Sequence, residues 1–359
     1  MTEYRFSSFS TRAATALVVF SIAATAACGG TNPTADGGST TSAAVTTTTG
    51  AVTTSTTTAT APTVPLRGFS LSPQSYEADQ FTAFFELAAA HGDLVERVAD
   101  ILEWEEGTGA AVTVVQGLAT QYGYLPLSVA GIFDVDTGEL IRPLDDATFD
   151  RYVAAAAGFA ARHRPRFLGL GVEVDTQWRT HPDEFDRFVE LFAAVADAVH
   201  AASPETLLLT TFQLERVSGM QGGVFGGTND PNQAAWDLVD RFPGADIIGF
   251  TTYPGLVFPS PDDIPADYYT RLADIAGRRP IAFTEMGWQA GGDFGRYSGT
   301  PASQARFVER FPELIAGIDV AFYVWSFLYD QAVPAVFATM GLIAADGIPR
   351  AAWEVWTAG

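Results

Sequence analysis

The chain has 359 residues, a formal net charge of −22 and an isoelectric point near 4.3, with 47% apolar and 17% charged residues. That composition supplies a large core, leaves too little charge for a disordered chain, and excludes the cationic surface that nucleic acid requires. The single cysteine, Cys28, excludes an intrachain disulfide, and four scattered histidines (His91, His163, His181 and His200) exclude a His-rich metal site, so no metal or other cofactor is expected.

Residues 1–28 read as an export signal. Arg5 and Arg12 give a positive start, and a small-residue apolar run follows that is shorter than the ~20 residues of a spanning helix. The run ends Thr25-Ala26-Ala27-Cys28, which resembles the lipobox of bacterial lipoproteins. The resemblance implies lipidation of Cys28 and a cell-surface lipoprotein held to the membrane by that anchor. Cleavage near Ala27, giving a secreted protein, is the alternative. Residues 29–65 are rich in Gly, Ser, Thr, Ala and Pro, and 12 of the 21 residues from Thr40 to Thr60 are threonine. Such a stretch buries too little apolar surface to offset chain entropy, so it reads as a disordered tether.

From residue 66 to 359 short apolar runs alternate with longer amphipathic ones. Strands are expected at 67–71, 93–98, 125–133, 166–173, 207–213, 247–253, 281–285 and 320–326, with 112–116 a rival for the second. Helices are expected at 78–90, 110–122, 147–162, 182–201, 232–241, 265–276, 301–316 and 350–356. Start signals accompany several of them: Asp145 or Asp146 before the third, His181-Pro182-Asp183-Glu184 at the fourth, and Thr300-Pro301 at the seventh. Eight alternating pairs predict a single (β/α)₈ TIM barrel of the α/β class. The competing open doubly wound sheet would need a Gly-rich phosphate turn after its first strand, and Gly68-Phe69-Ser70-Leu71-Ser72-Pro73 is not one.

Barrel active sites lie at the carboxyl ends of the strands, so the residue that ends each apolar run matters most. The fourth run, Phe167-Leu168-Gly169-Leu170-Gly171-Val172, stops at Glu173, and the seventh, Ile281-Ala282-Phe283-Thr284, stops at Glu285. Strand alternation places Phe167, Gly169 and Gly171 inside below Glu173, and Ile281 and Phe283 inside below Glu285. Both carboxyls then enter the barrel mouth. Two carboxyls across a pocket are the machinery of glycoside hydrolysis, with a separation of ~5–5.5 Å for retention and a wider one for inversion. A strand-end glutamate can equally be a solvated loop residue.

At these residues the chain resembles clan A of the glycoside hydrolases, and Thr284-Glu285-Met286-Gly287-Trp288 is similar to the nucleophile segment of family 53, the endo-β-1,4-galactanases. The resemblance implies Glu173 as acid/base, Glu285 as nucleophile, retention of configuration and a carbohydrate substrate. It further implies Tyr253, ending the sixth strand, beside the nucleophile, and Trp325, ending the eighth, as a sugar platform. Gln213, Trp288, Asp175 and Trp178 are further candidate substrate contacts, each with packing or a loop turn as the alternative. Val172 stands where clan A enzymes carry the asparagine that binds the sugar 2-hydroxyl, and no arginine or histidine follows the second and third strands in the clan's pattern. The expectation is therefore a monomeric retaining glycosidase for neutral β-linked oligo- or polysaccharide, with a non-catalytic carbohydrate-binding lipoprotein as its competitor. The glycine-rich segment 218–227 holds no Lys or Arg and reads as a loop over the cleft, not a phosphate cradle; 134–139 reads as a solvated hairpin-like turn.

Overall fold

The computed structural model describes residues 64–108 and 111–359. The readings placed on residues 1–63, Cys28 included, lie outside the described residues. The rest forms the expected barrel. Eight parallel strands close in sequence order: β1 (Leu66–Ser70), β2 (Leu94–Asp100), β3 (Leu125–Gly131), β4 (Phe167–Leu170), β5 (Leu207–Gln213), β6 (Ile247–Thr252), β7 (Ile281–Met286) and β8 (Val320–Trp325). The last pairs with the first, Phe69 opposite Trp325. Gly68 is required at the β1–β2 seam, because a Cβ there would strike the Leu94 carbonyl.

The major covering helices are α1 (Ala78–His91), α2 (Ala111–Tyr122), α3 (Asp146–His163), α5 (Pro182–Ala202), α8 (Pro301–Leu314) and α9 (Ala351–Ala358). Their predicted start signals act as capping chemistry demands. The Asp145 carboxylate accepts from the Thr148 N–H, and Thr300 and Ser303 form a reciprocal capping box ahead of Pro301. Segment 112–116 lies within α2, so the second strand is β2. The turn at 134–139 is hairpin-like, with Phe133 bridged to Leu140.

Two predicted helices shrink. Segment 232–241 becomes two 3-10 turns, Pro231–Gln233 and Trp236–Arg241, separated by extended backbone at Ala234. Of 265–276 only α7 (Leu272–Ala276) is α-helical, and the residues before it turn through i→i+3 bonds. Two short helices were not expected: α4 (Val174–Thr180), which follows β4 after Gly171, Val172 and Glu173, and α6 (Leu214–Val217), which starts directly beyond β5.

Inside the barrel Leu94, Leu127, Val129, Phe167, Leu209, Ile247, Ala282, Phe322 and Val324 pack together, with Val172 above them. Two strand phases differ from simple alternation. Strand β4 ends at Leu170, three residues early, where Gly171 takes φ +86°. A Cβ on Gly171 would meet Phe188 and Val174, on the helix side, whereas Val172 turns into the barrel. In β7 the pairing to β6 jumps from Phe283 to Glu285, leaving Thr284 as a bulge. Below the bulge Ala282 faces inward, while Ile281 and Phe283 join the core under the helices.

Candidate active site

The mouth is built at the carboxyl ends of β4 to β8. Glu173 sits at φ +50°, ψ +50°, a left-handed conformation uncommon for a side-chain-bearing residue and concentrated at functional sites. Its N–H donates to the Thr211 hydroxyl of β5 (3.0 Å), which fixes the turn into α4. The Thr251 hydroxyl of β6 donates to its Oε1 (2.7 Å), and Arg216 lies 3.6 Å from its Oε2. Burial raises the Glu173 carboxyl to about 8, with Asp175 and Glu285 adding to the rise and Arg216 and Thr251 opposing it. At neutral pH this carboxyl holds its proton.

Glu285 approaches β6 from the other side, since the bulge puts it in register with Thr251. The Tyr253 hydroxyl donates to its Oε2 (2.5 Å) and is itself within 2.9 Å of the Ser326 hydroxyl at the end of β8. Burial raises the Glu285 carboxyl, and the tyrosine hydrogen bond counters that rise. Thus Thr251 on β6 serves one carboxyl, and Tyr253, the residue just past the end of β6, serves the other. Tyr253 is in turn placed by Glu215. That fully buried carboxylate accepts from the Tyr253 N–H, the Thr252 and Tyr268 hydroxyls and the Gln213 amide. With four donors around it, Glu215 is a strut of the β5 and β6 ends.

A third carboxyl was not singled out in the sequence. Glu96 projects from the middle of β2, fully buried, and accepts from the Ser70 hydroxyl (2.5 Å). Its other oxygen, Oε1, has no hydrogen-bond partner. Burial, reinforced by the negative charge of Glu285, holds Glu96 well above the usual carboxylate range. Two buried interacting acids cannot both ionise cheaply. Glu285 has the tyrosine donor and Glu96 a sealed position with one unpartnered oxygen, so ionisation costs more at Glu96 than at Glu285. The clue in the sequence was a carboxylate between Leu94 and Val98 in a strand expected to be covered on both sides.

The other predicted contacts divide. Trp325 does not face the mouth. Its phase on β8 points it under the helices, fully buried, with its indole N–H on the Met340 carbonyl. Trp288 is likewise buried, packed against Phe307 with its N–H on Ser303. Both polar ends of the Gln213 amide are used internally, by Glu215 and by the Arg216 N–H. Asp175 accepts from the Gln213 N–H and from Arg179, and with Trp178 it lines a cavity of about 240 Å³ beside Glu173. The aromatic surface at the mouth comes from residues beyond the strands. Phe337 stands edge-on to Tyr253 at 5.0 Å, and Phe225 and Phe327 flank the same cluster. Segment 218–227, read as a loop over the cleft, is braced by the Met220–Asn229 bridge and contributes Phe225. Among the described residues, no group of three or more His, Cys, Asp or Glu is arranged to hold a metal ion.

No protein-family model and no curated protein matches the chain. Solved structures with the same fold include a family 39 glycoside hydrolase from the gut symbiont Bacteroides cellulosilyticus WH2, with a TM-score of 0.58 and 16% identity, matching 82% of this chain and 63% of that one. A subfamily 18 member of glycoside hydrolase family 5 from Streptomyces cattleya, in complex with Manβ1-4GlcNAc, gives a TM-score of 0.61 at 13% identity, over 82% of this chain and 80% of the other. A family 17 β-1,3-glucanosyltransferase from Rhizomucor miehei gives 0.56 at 14%, over 80% and 95%. Against some others, such as the exo-β-1,4-mannosidase Op5Man5 from Opitutaceae bacterium strain TAV5, the chain spans 58% of the solved length. At these identities the likeness is one of fold.

Proposed function

We propose that the protein is a retaining O-glycosyl hydrolase for β-linked oligo- or polysaccharide, with Glu285 as nucleophile and Glu173 as acid/base. The observation that carries this reading is the unequal support of two buried carboxyls: burial raises Glu173 to about 8, whereas the rise that burial causes at Glu285 is countered by the Tyr253 hydroxyl. Unequal neighbouring carboxyls are what an acid and a nucleophile require. In the first step a Glu285 oxygen attacks the anomeric carbon. The bond to the leaving oxygen breaks, and the Glu173 proton passes to that oxygen. In the second, Glu173 takes a proton from water, the water oxygen attacks the same carbon, and the glycosyl–Glu285 bond breaks. The β-linked sugars and β-active enzymes among the fold relatives support the linkage class, and the resemblance of Thr284–Trp288 to the family 53 nucleophile segment supports the role of Glu285.

A panel of aryl β-glycosides and β-glycans, followed by proton NMR of the first-formed product, tests the reading: release of the β-anomer is expected. Release of the α-anomer overturns the assigned roles. The competing reading is a non-catalytic carbohydrate-binding barrel, and Val172 favours it. This residue packs into the barrel core, so its side chain supplies no donor for a sugar 2-hydroxyl. Sugar affinity by calorimetry with no cleavage of any panel member would establish that competitor.

We also propose that the barrel is displayed at the surface of a bacterial cell, tethered through 29–65 to a lipid on Cys28. Metabolic labelling with a palmitate analogue should tag the full chain, and Cys28→Ser should abolish the label and release the protein into the medium. An unlabelled wild type would leave the secreted form.

A further inference from the structure

The cavity next to Glu173 has a character at odds with the rest of the chain. The protein carries 20 Lys and Arg against 42 Asp and Glu, yet two arginines, Arg179 and Arg216, converge on this one hollow. Asp175, Trp178, Val217, Gln221, Gln233 and Ala235 complete its wall. Each guanidinium has five N–H donors in a planar fork. Among the described residues Arg179 spends one on Asp175 Oδ2 (3.0 Å) and Arg216 one on the Thr176 hydroxyl (3.0 Å). Their side chains keep 29% and 25% of their surface open, so the remaining donors can meet a ligand. Asp175 offsets one of the two positive charges through its pair with Arg179, so with Glu173 protonated the hollow keeps one net positive charge along with the unused guanidinium donors.

The position of the cavity follows from the roles of the two glutamates, and in this the inference rests on the proposed hydrolase reading. The acid/base residue must reach the glycosidic oxygen, so the leaving sugar lies on its side of the scissile bond. Arg216 borders the cavity and lies 3.6 Å from Glu173 Oε2, so the cavity reaches Glu173 through Arg216, and neither Glu285 nor Tyr253 lines it. A volume of about 240 Å³, below the ~300–1,000 Å³ of drug-sized sites, suits one sugar ring and not a chain of them.

We propose that this cavity is the subsite for the leaving-group sugar and that it selects a sugar bearing an anionic oxyacid group, a uronate carboxylate or a sulfate ester. The planar forks supply paired N–H donors to the anion, Trp178 gives a face for the ring, and the two glutamine amides reach its hydroxyls. Burial holds Arg179 below the usual arginine range; the charge of Asp175 opposes that effect and the smaller influence of Arg216 adds to it. A ligand anion at Arg216 would give the second arginine the partner that Arg179 already has in Asp175. The neutral substrate expected from the sequence is thereby replaced, on the leaving side, by an acidic one.

The test is calorimetric titration of the full chain with D-glucuronate, D-glucose 6-sulfate and D-glucose. At least one anionic sugar should bind about tenfold tighter than glucose, a difference of ~1.4 kcal/mol. The tighter of the two names the substituent. Added salt should erode that preference and leave glucose unaffected. Arg179→Gln should bring the anionic sugar to within about twofold of glucose, and Arg179→Lys, which keeps the charge if the glutamine variant misfolds, should retain part of the preference. Equal binding of all three sugars, or a preference that survives Arg179→Gln, overturns the proposal. Cleavage of aryl β-glycosides with no anionic preference would sink this inference alone. Arginine-dependent binding of an anionic sugar with no cleavage would sink the hydrolase reading and leave the anion subsite standing.

Discussion

Glu285→Gln is expected to lower kcat/KM on any aryl β-glycoside the protein cleaves by on the order of 10⁴-fold or more, with sugar affinity close to wild type. The substitution is nearly isosteric. Its amide oxygen can still accept from Tyr253, so the chain Glu285–Tyr253–Ser326 keeps its geometry while the nucleophile is lost. The variant also removes the negative charge that helps keep Glu96 protonated, without opening a cavity. The fold should therefore survive, and a loss of turnover reports chemistry and not collapse. The smaller Glu285→Ala leaves space for an external nucleophile. With azide it should yield the α-glycosyl azide, because attack then comes from the face that Glu285 used. Turnover within tenfold of wild type in Glu285→Gln, or a β-azide from Glu285→Ala, would remove Glu285 from the mechanism.

The pair of glutamates was legible because each closes an apolar run long enough to be a strand, and because eight such runs alternate with helices. The barrel followed from the same counting. Side-chain direction was less legible, and for one physical reason. Strands of a parallel barrel are covered on both faces and read as unbroken apolar runs, so their sequence does not reveal which face is which. In Val320-Ala321-Phe322-Tyr323-Val324-Trp325 either phase satisfies hydrophobicity, and the fold chose the one that buries Trp325 against Phe307 and Trp356. In β7 the bulge at Thr284 shifts the phase by one, so Glu285 faces the mouth with Ala282, not Phe283, beneath it. Arg216 and Phe337 come from segments beyond strand ends, where no periodicity exists to place them. Glu96 and Thr251 were different. Glu96 lay within the expected second strand, and Thr251 is two residues before Tyr253 on β6. Alternation alone could have turned both inward.

Glu173→Gln should separate catalysis from stability in opposite directions. The Glu173 carboxyl is raised from 4.5 to about 8, chiefly by burial, so the folded state favours its protonated form. Below pH ~4.5 the folded and unfolded chains both hold this proton and the group costs nothing. Between ~4.5 and ~8 the unfolded chain releases it and the folded chain does not, so the penalty grows with pH, reaching on the order of 3 kcal/mol at pH 7. Glutamine mimics the protonated acid and has no charge to lose. The variant should therefore match wild type in thermal unfolding near pH 4 and exceed it increasingly up to pH 8. Its kcat/KM should fall ~10²–10⁴-fold on substrates with a sugar leaving group, and far less on a dinitrophenyl glycoside, whose departure needs no proton. Wild-type kcat/KM on the sugar-leaving substrate should decline above pH ~8 as Glu173 ionises, and that alkaline limb should be absent from the variant. A variant less stable than wild type at pH 8, or one whose kcat/KM falls equally on both leaving groups, would mean that Glu173 is not the acid. On the proposed mechanism, the stability withheld at neutral pH is the cost of keeping a proton ready beside the leaving oxygen; burial raises Glu215 too, but its oxygens are taken by four internal donors, whereas among the described residues Glu173 accepts a hydrogen bond from Thr251 alone.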